Sequence, residues 1–210
     1  MARAGRPQVS TAYPPIAGLL WPAREVAGSN VVRAIVLVLA GIVLLTLSAK
    51  INVPLPLVPM TLQTLVVLVL GATYGWRLGV ATILVYLVVG ALGLPVFAGP
   101  VGGLAPLTGS TAGFLFGFVV AGFITGWFGE RGWDRSVMKM FIAMALGHVV
   151  ILAMGFWWMA YGRGLGAEKA WAFGVGPFLA GALVKNLLGA LLVPMLRRMA
   201  DRRAAAPAIT

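Results

Sequence analysis

The sequence predicts an all-α integral membrane protein, with six transmembrane helices in one bundle and both termini in the cytoplasm. The 210-residue chain is 60% hydrophobic and only 10% charged, whereas a soluble domain has about 25% charged residues. The apolar run from Val31 to Ala49 is long enough to cross a hydrocarbon core of about 30 Å. The net charge of +11 comes from basic residues at the ends of apolar segments. We therefore interpret it as a topology signal and expect a lipid bilayer, not nucleic acid, as its surroundings.

The chain divides into three parts. Residues 1–30 form a basic, proline-containing segment, which we predict to be a cytoplasmic tail, mobile or lying on the surface. Residues 31–199 form the six-helix membrane domain, and residues 200–210 form a basic cytoplasmic tail.

Proline, glycine and charge mark the boundaries between the predicted helices. Three prolines within Lys50–Pro59 exclude a helix there, and the Gly/Pro-rich segment Leu92–Leu107 separates the third helix from the fourth. Charges cluster over Glu130–Lys139, and a loop is predicted over Tyr161–Ala170. The predicted helices are Val31–Ala49, Met60–Ala72, Leu78–Ala91, Thr108–Phe128, Met140–Ala160 and Phe173–Met199.

The distribution of Lys and Arg predicts the orientation. With the N-terminus inside, three basic residues fall in outer segments: Lys50, Arg163 and Lys169. Twelve fall in cytoplasmic segments: Arg3, Arg6, Arg24, Arg33, Arg77, Arg131, Arg135, Lys139, Arg197, Arg198, Arg202 and Arg203. This bias follows the positive-inside rule and indicates the plasma (inner) membrane, with several passes.

Lys185 is the one charged residue predicted within the apolar depth of the helices. A lone ammonium there costs roughly 2.5–3.5 kcal/mol on insertion scales, so such residues usually serve a function. All five acidic residues fall in predicted loops or tails. We therefore predict that the partner of Lys185 is an anionic ligand.

The predicted topology brings further polar groups to the outer half of the membrane. These are Gln63, Tyr86, Thr108, Ser110 and Thr111, together with Lys185. The irregular segments Asn52–Pro59 and Leu92–Leu107 lie on the same side, and irregular backbone at this depth is tolerated where it lines a cavity. We expect a cavity that opens outward and is covered by these two loops.

For three residues the sequence leaves a structural role open. Gln63 is as well explained by a hydrogen bond between helices as by ligand binding, and Tyr86 fits a core or interfacial position better than a ligand contact. His148 is more simply a packing residue than a proton relay, because no carboxylate is predicted near it.

Several classes of function lack the residues they need. The chain has no cysteine, no phosphate-binding Gly-x4-Gly-Lys-Ser/Thr loop, no cluster of metal ligands and no paired carboxylates. We predict no catalytic residues, no metal and no cofactor, and a protein that is not an enzyme. A lipid-modifying membrane enzyme is disfavoured for the same reason.

Four segments resemble the BioY family, and the resemblance covers essentially the whole chain after residue 30. They are VPMTLQTL (58–65), YLVVGALGLPVFAG (86–99), TGSTAGF (108–114) and PFLAGALVK (177–185). BioY proteins are the biotin-binding S components of energy-coupling factor transporters. The resemblance implies a six-helix bundle that captures biotin from the outer face, with a transmembrane coupling subunit and two cytoplasmic ATPases as partners. The alternative is a solitary biotin facilitator, or a homo-oligomer, that works without ATPases.

The resemblance also implies a set of biotin-binding residues. Lys185 would meet the biotin carboxylate, and where the family commonly has an Asp one turn earlier this chain has Ala182. The family's loop can have a polar residue for the ureido ring, whereas this chain has Pro100 and Val101 before Gly102 and Gly103. The implied substrate-binding set is Lys185, Gln63, Tyr86, Val101, Gly102, Gly103 and Ala182.

Overall fold

The computed structural model describes residues 13–23, 27–100 and 102–205, and most of these are helical. A two-stranded antiparallel sheet pairs β1 (Asn52–Val53) with β2 (Met60–Thr61). A 3₁₀ turn covers Trp133–Arg135 and a π turn covers Trp158–Gly162. The α-helices are α1 (Ile16–Leu20), α2 (Ala27–Lys50), α3 (Gln63–Ala91), α4 (Ala105–Thr108), α5 (Ala112–Gly129), α6 (Val137–Trp157), α7 (Ala167–Gly174) and α8 (Phe178–Ala205).

Within the described residues, five helical segments are long and apolar enough to cross a membrane. They are Gly28–Lys50, Gln63–Ala91, Ala112–Gly129, Val137–Gly162 and Phe178–Ala205. Many of their large apolar side chains are exposed on the outside of the bundle. This is the arrangement expected of helices whose outer faces contact lipid.

The segment α3 consists of two helices joined at Gly75. Gly75 has φ +79° and ψ 166°, which is outside the helical region and is accessible almost only to glycine. A Cβ at this position would collide with the Glu130 carboxylate, which accepts a hydrogen bond from the Trp76 N–H at 3.2 Å. The chain reverses here, so that Gln63 and Tyr86, 23 residues apart, are hydrogen-bonded to each other.

Close backbone approach joins this hairpin to α5. A Cβ on Gly71 would collide with Thr125 and with the carbonyl of Gly122 on α5, so these two helices pack at a distance only small residues permit. Among the described elements, the α3–α5 contact is the most extensive, followed by α5 against α6. Helix α8 closes the bundle against α6 and α3.

Both described ends of the chain lie at the same end of the bundle. Arg197 near the end of α8 is 2% exposed and forms an ion pair with buried Asp134 at 2.9 Å. The same guanidinium donates to the Pro14 carbonyl at 2.8 Å, and the Tyr13 N–H donates to the Glu130 carbonyl. The segment before α1 is therefore fixed to the α5–α6 connection and to α8.

The described part of the predicted N-terminal tail packs on the bundle. Helix α1 buries Ile16, which is 2% exposed, against the core. Ile16 lies directly after Pro14 and Pro15 and before Pro22, and it gives this short segment an apolar side chain to bury. Residues 1–12 and 24–26 of the predicted tail, and residues 206–210 of the C-terminal one, lie outside the described residues.

Most helix bounds differ from the predicted ones by a few residues, and three regions differ in kind. Met60 and Thr61, predicted to start the second helix, form β2, and the predicted irregular segment Leu92–Leu107 contains most of α4. Helix α2 starts at Ala27 instead of Val31, and α8 extends to Ala205 instead of Met199. The predicted loop 161–170 contains the end of a π turn and the start of α7. Helix α7 is separated from α8 at Val175–Pro177, because proline cannot continue the hydrogen-bonding pattern of a preceding helix.

Candidate functional site

A cavity of about 210 Å³ lies between the two irregular segments and the helices α3, α5, α6 and α8. The first irregular segment contributes Val58 and Pro59, and the second contributes Phe97, Ala98, Ala105 and Pro106. Both loops predicted to cover the cavity therefore border it. The remaining apolar wall is formed by Phe114, Leu115, Phe118, Ile151, Leu152 and Phe178.

Five polar residues interrupt this apolar wall. They come from the second β-strand, from α3 and α8, and from the turn before α5: Thr61, Gln63, Thr64, Thr111 and Lys185. A cavity with mostly apolar walls and a few placed polar groups is typical of a small-molecule site.

Lys185 is 7% exposed and borders the cavity from α8. Its ammonium donates a hydrogen bond to the Thr61 carbonyl at 3.1 Å. Among the described residues, no carboxylate lies within 4 Å of it. An ammonium has three N–H donors, so this side chain retains donors for an anionic ligand.

Gln63 borders the cavity and is held by Tyr86. The Gln63 amide nitrogen donates to the Tyr86 hydroxyl at 2.7 Å, and that hydroxyl donates to the Val96 carbonyl at 2.9 Å. The amide oxygen of Gln63 accepts from the Thr61 hydroxyl at 3.2 Å. Tyr86 is fully buried beside the cavity wall, where it fixes the orientation of Gln63 and packs edge-to-face on Phe97.

A second polar network lies behind Thr64. His148 on α6 is 5% exposed, and its Nδ1 lies 2.9 Å from the Asn186 Oδ1 and 3.2 Å from the Met144 carbonyl. Its Nε2 lies 3.3 Å from the Thr64 hydroxyl oxygen. The network connects α3, α6 and α8, and it gives His148 the satisfied, buried position that the sequence favoured.

The loop above the cavity is fastened to the end of α2. The Lys50 ammonium donates to the carbonyls of Pro95, Phe97 and Gly99, at 2.6, 2.8 and 2.6 Å. Phe97 belongs to the cavity wall. The position of this part of the loop thus depends on Lys50, a cation at the end of α2.

Three of the other predicted site residues, Ala182, Gly102 and Gly103, are described and do not border the cavity. Ala182 is half-buried on α8, one turn before Lys185. Gly102 packs against the carbonyls of Gly93 and Leu94, and Gly103 donates its N–H to the Gly90 carbonyl at 2.7 Å. Val101 lies outside the described residues.

Of the predicted polar cluster at the start of the fourth helix, Thr111 borders the cavity. Thr108, the last residue of α4, donates to the Leu104 carbonyl. Thr64 and Asn186 were not predicted as site residues. Asn186 interrupts an apolar run directly after Lys185, and this was the signal that could have identified it.

The fold and the cavity together define a multi-pass helical membrane protein with a candidate small-molecule cavity bordered by two loops. The chain belongs to the BioY family, whose family model matches residues 21–202. A probable biotin transporter BioY of Pyrococcus horikoshii is 36% identical over 165 residues, which is 79% of this chain and 96% of that protein. The biotin transporter BioY of Rhizobium etli is 39% identical over 142 residues, 64% of this chain and 75% of that protein.

A solved structure shares the fold. It is the 2.1 Å crystal structure of the S-component for biotin from an ECF-type ABC transporter, with a TM-score of 0.71 and 19% sequence identity. The match covers 83% of this chain and 95% of that one. The relatives are named as transporters, in agreement with the prediction that the chain is not an enzyme.

Proposed function

We propose that this chain is the substrate-binding component of an energy-coupling factor transporter and that it captures biotin from the outer face of the membrane. The relatives' names supply the candidate ligand. The observation that favours this ligand most is Lys185, a buried ammonium on the wall of an apolar cavity with no carboxylate within 4 Å among the described residues.

The chemistry of biotin complements this cavity. Its carboxylate supplies the counter-charge for Lys185, and a charge-assisted hydrogen bond is about twice as strong as a neutral one. Its thiophane ring and valeryl chain are apolar and suit the aromatic wall around Phe114 and Phe118. Loop closure over the ligand excludes water and strengthens the ion pair.

The topology we propose has six membrane passes, with the cavity facing outward and both termini in the cytoplasm. The reversal at Gly75 supports counting α3 as two passes. Most of the described basic residues belong to segments that meet at the end of the bundle where Arg197 and Asp134 pair. Labelling of single cysteines tests this, because the chain has no native cysteine. Positions 52, 101 and 164 should react from outside and positions 132 and 205 should not; the reverse pattern would invert the bundle.

The proposed partners are a transmembrane coupling subunit and two cytoplasmic ATPases. The fold shared with an S-component supports this assembly. When this chain is produced in cells that have no coupling subunits or ATPases of this kind, biotin uptake should therefore require that these partner subunits are produced with it. Uptake that is equally fast with and without coupling subunits would favour a solitary facilitator instead.

A further inference from the structure

Backbone carbonyls, which can only accept, fix the direction of the hydrogen bonds at Asn186 and at the His148 Nδ1. The Asn186 Nδ2 donates to the Phe141 carbonyl at 3.1 Å, so the Asn186 Oδ1 is the atom that faces His148. The His148 Nδ1 lies near this oxygen and near the Met144 carbonyl, and both are acceptors. The hydrogen of the imidazole must therefore be on Nδ1.

The imidazole is neutral, so its other nitrogen accepts. His148 is buried at membrane depth near Lys185, and no carboxylate lies within 4 Å of it among the described residues. A second unpaired charge there would be costly. A neutral ring with its hydrogen on Nδ1 has a lone pair on Nε2, and this nitrogen faces the Thr64 hydroxyl at 3.3 Å.

The Thr64 hydroxyl hydrogen is consequently directed at His148 and is not available to a ligand. A hydroxyl has one donor and two acceptor lone pairs, so what Thr64 presents to the cavity is an acceptor. The two other hydroxyls on the cavity wall likewise donate their hydrogens to acceptors of the protein. Thr61 donates to the Gln63 side chain and Thr111 donates to the Pro106 carbonyl at 2.7 Å.

We infer that Thr64 is a specificity-determining residue that accepts a hydrogen bond from an N–H group of the ligand, with His148 and Asn186 as positioning residues that hold it in this role. The inference rests on the proposed function, because the cyclic urea of biotin supplies two N–H donors. The network also disfavours a carboxylate next to Thr64, because two acceptors repel. The ligand is thereby oriented with its acid at Lys185 and an N–H at Thr64.

The test measures biotin binding to the purified, folded chain and compares biotin with two lactam analogues, in each of which one ureide N–H is replaced by CH2. Thr64→Val keeps the volume and removes the acceptor. It should weaken biotin binding about tenfold, the effect of one hydrogen bond. It should leave the affinity for one of the two lactams unchanged, because that analogue lacks the matching N–H. Thr64→Ser keeps the hydroxyl and should bind biotin as the native chain does.

His148→Leu tests the positioning role. It leaves Thr64 free to turn its hydrogen toward the ligand, so the preference for biotin over the matching lactam should fall while the chain stays folded. If Thr64→Val weakens the binding of biotin and of both lactams equally, or weakens the binding of none of them, the inference is wrong. If the native chain binds no biotin, the proposed function itself fails, and this result is distinct from the other two.

Discussion

Replacing Lys185 isolates the charge interaction on which the proposed function depends. The ammonium makes one hydrogen bond within the described residues, to the Thr61 carbonyl, and the side chain borders the cavity. Lys185→Met keeps most of the apolar stem and removes the charge. The loss of a hydrogen bond to a charged group amounts to about 1.5–3 kcal/mol, so the dissociation constant for biotin should rise about 10- to 150-fold.

The matched ligand is biotin amide, which has the same shape without the negative charge. Calorimetry on the purified chain should show that Lys185→Met changes the affinity for biotin amide far less than that for biotin. The variant should fold, and its thermal midpoint should stay the same or rise, because an uncompensated buried charge is removed. An equal loss of affinity for both ligands would mean that Lys185 holds helices together and does not bind a carboxylate.

Three further substitutions test the framework around the cavity. Lys50→Met removes the cation that holds three loop carbonyls, so biotin should dissociate faster in a chase experiment. An unchanged dissociation rate would show that this contact does not restrain the loop above the cavity. Gly75→Ala should lower the thermal midpoint well below that of Gly166→Ala, because both glycines have φ +79° and an extended ψ (166° and 158°) but only Gly75 also faces a collision. Equal effects would leave backbone strain as the sole cause. Arg197→Met leaves Asp134 buried without its partner and should destabilise the fold by about 3–5 kcal/mol. Thermal unfolding in detergent measures this loss, and a small shift of the thermal midpoint would show that the ion pair is dispensable.

The long helices could be predicted because a membrane span requires a continuous apolar run. The reversal between the second and third predicted helices was harder to define, since it consists of a single residue, Gly75. Helix α7 was missed because its eight residues contain charge and aromatic side chains in a segment next to glycines, which is typical of a loop. Length and hydropathy do not detect such short elements.

The candidate site could be predicted where one residue is anomalous by itself. Lys185 and Gln63 interrupt apolar helices and both border the cavity. Tyr86 was placed in the right region, but its distance from the cavity depends on side-chain packing. Thr64 gives no signal in the sequence, because a threonine in a helix usually bonds its own backbone. The role we propose for Thr64 depends on His148, which is 84 residues away in the chain.

Protection of a single cysteine by biotin tests the central claim, that biotin occupies this cavity. Ala105 and Thr108 are both exposed residues of the short helix α4, but only Ala105 borders the cavity. Each is replaced by cysteine in turn, and maleimide labelling of the purified chain is followed with and without millimolar biotin. We expect biotin to slow the labelling of Ala105→Cys and to leave that of Thr108→Cys unchanged. Labelling of Ala105→Cys at the same rate with and without biotin would contradict the account.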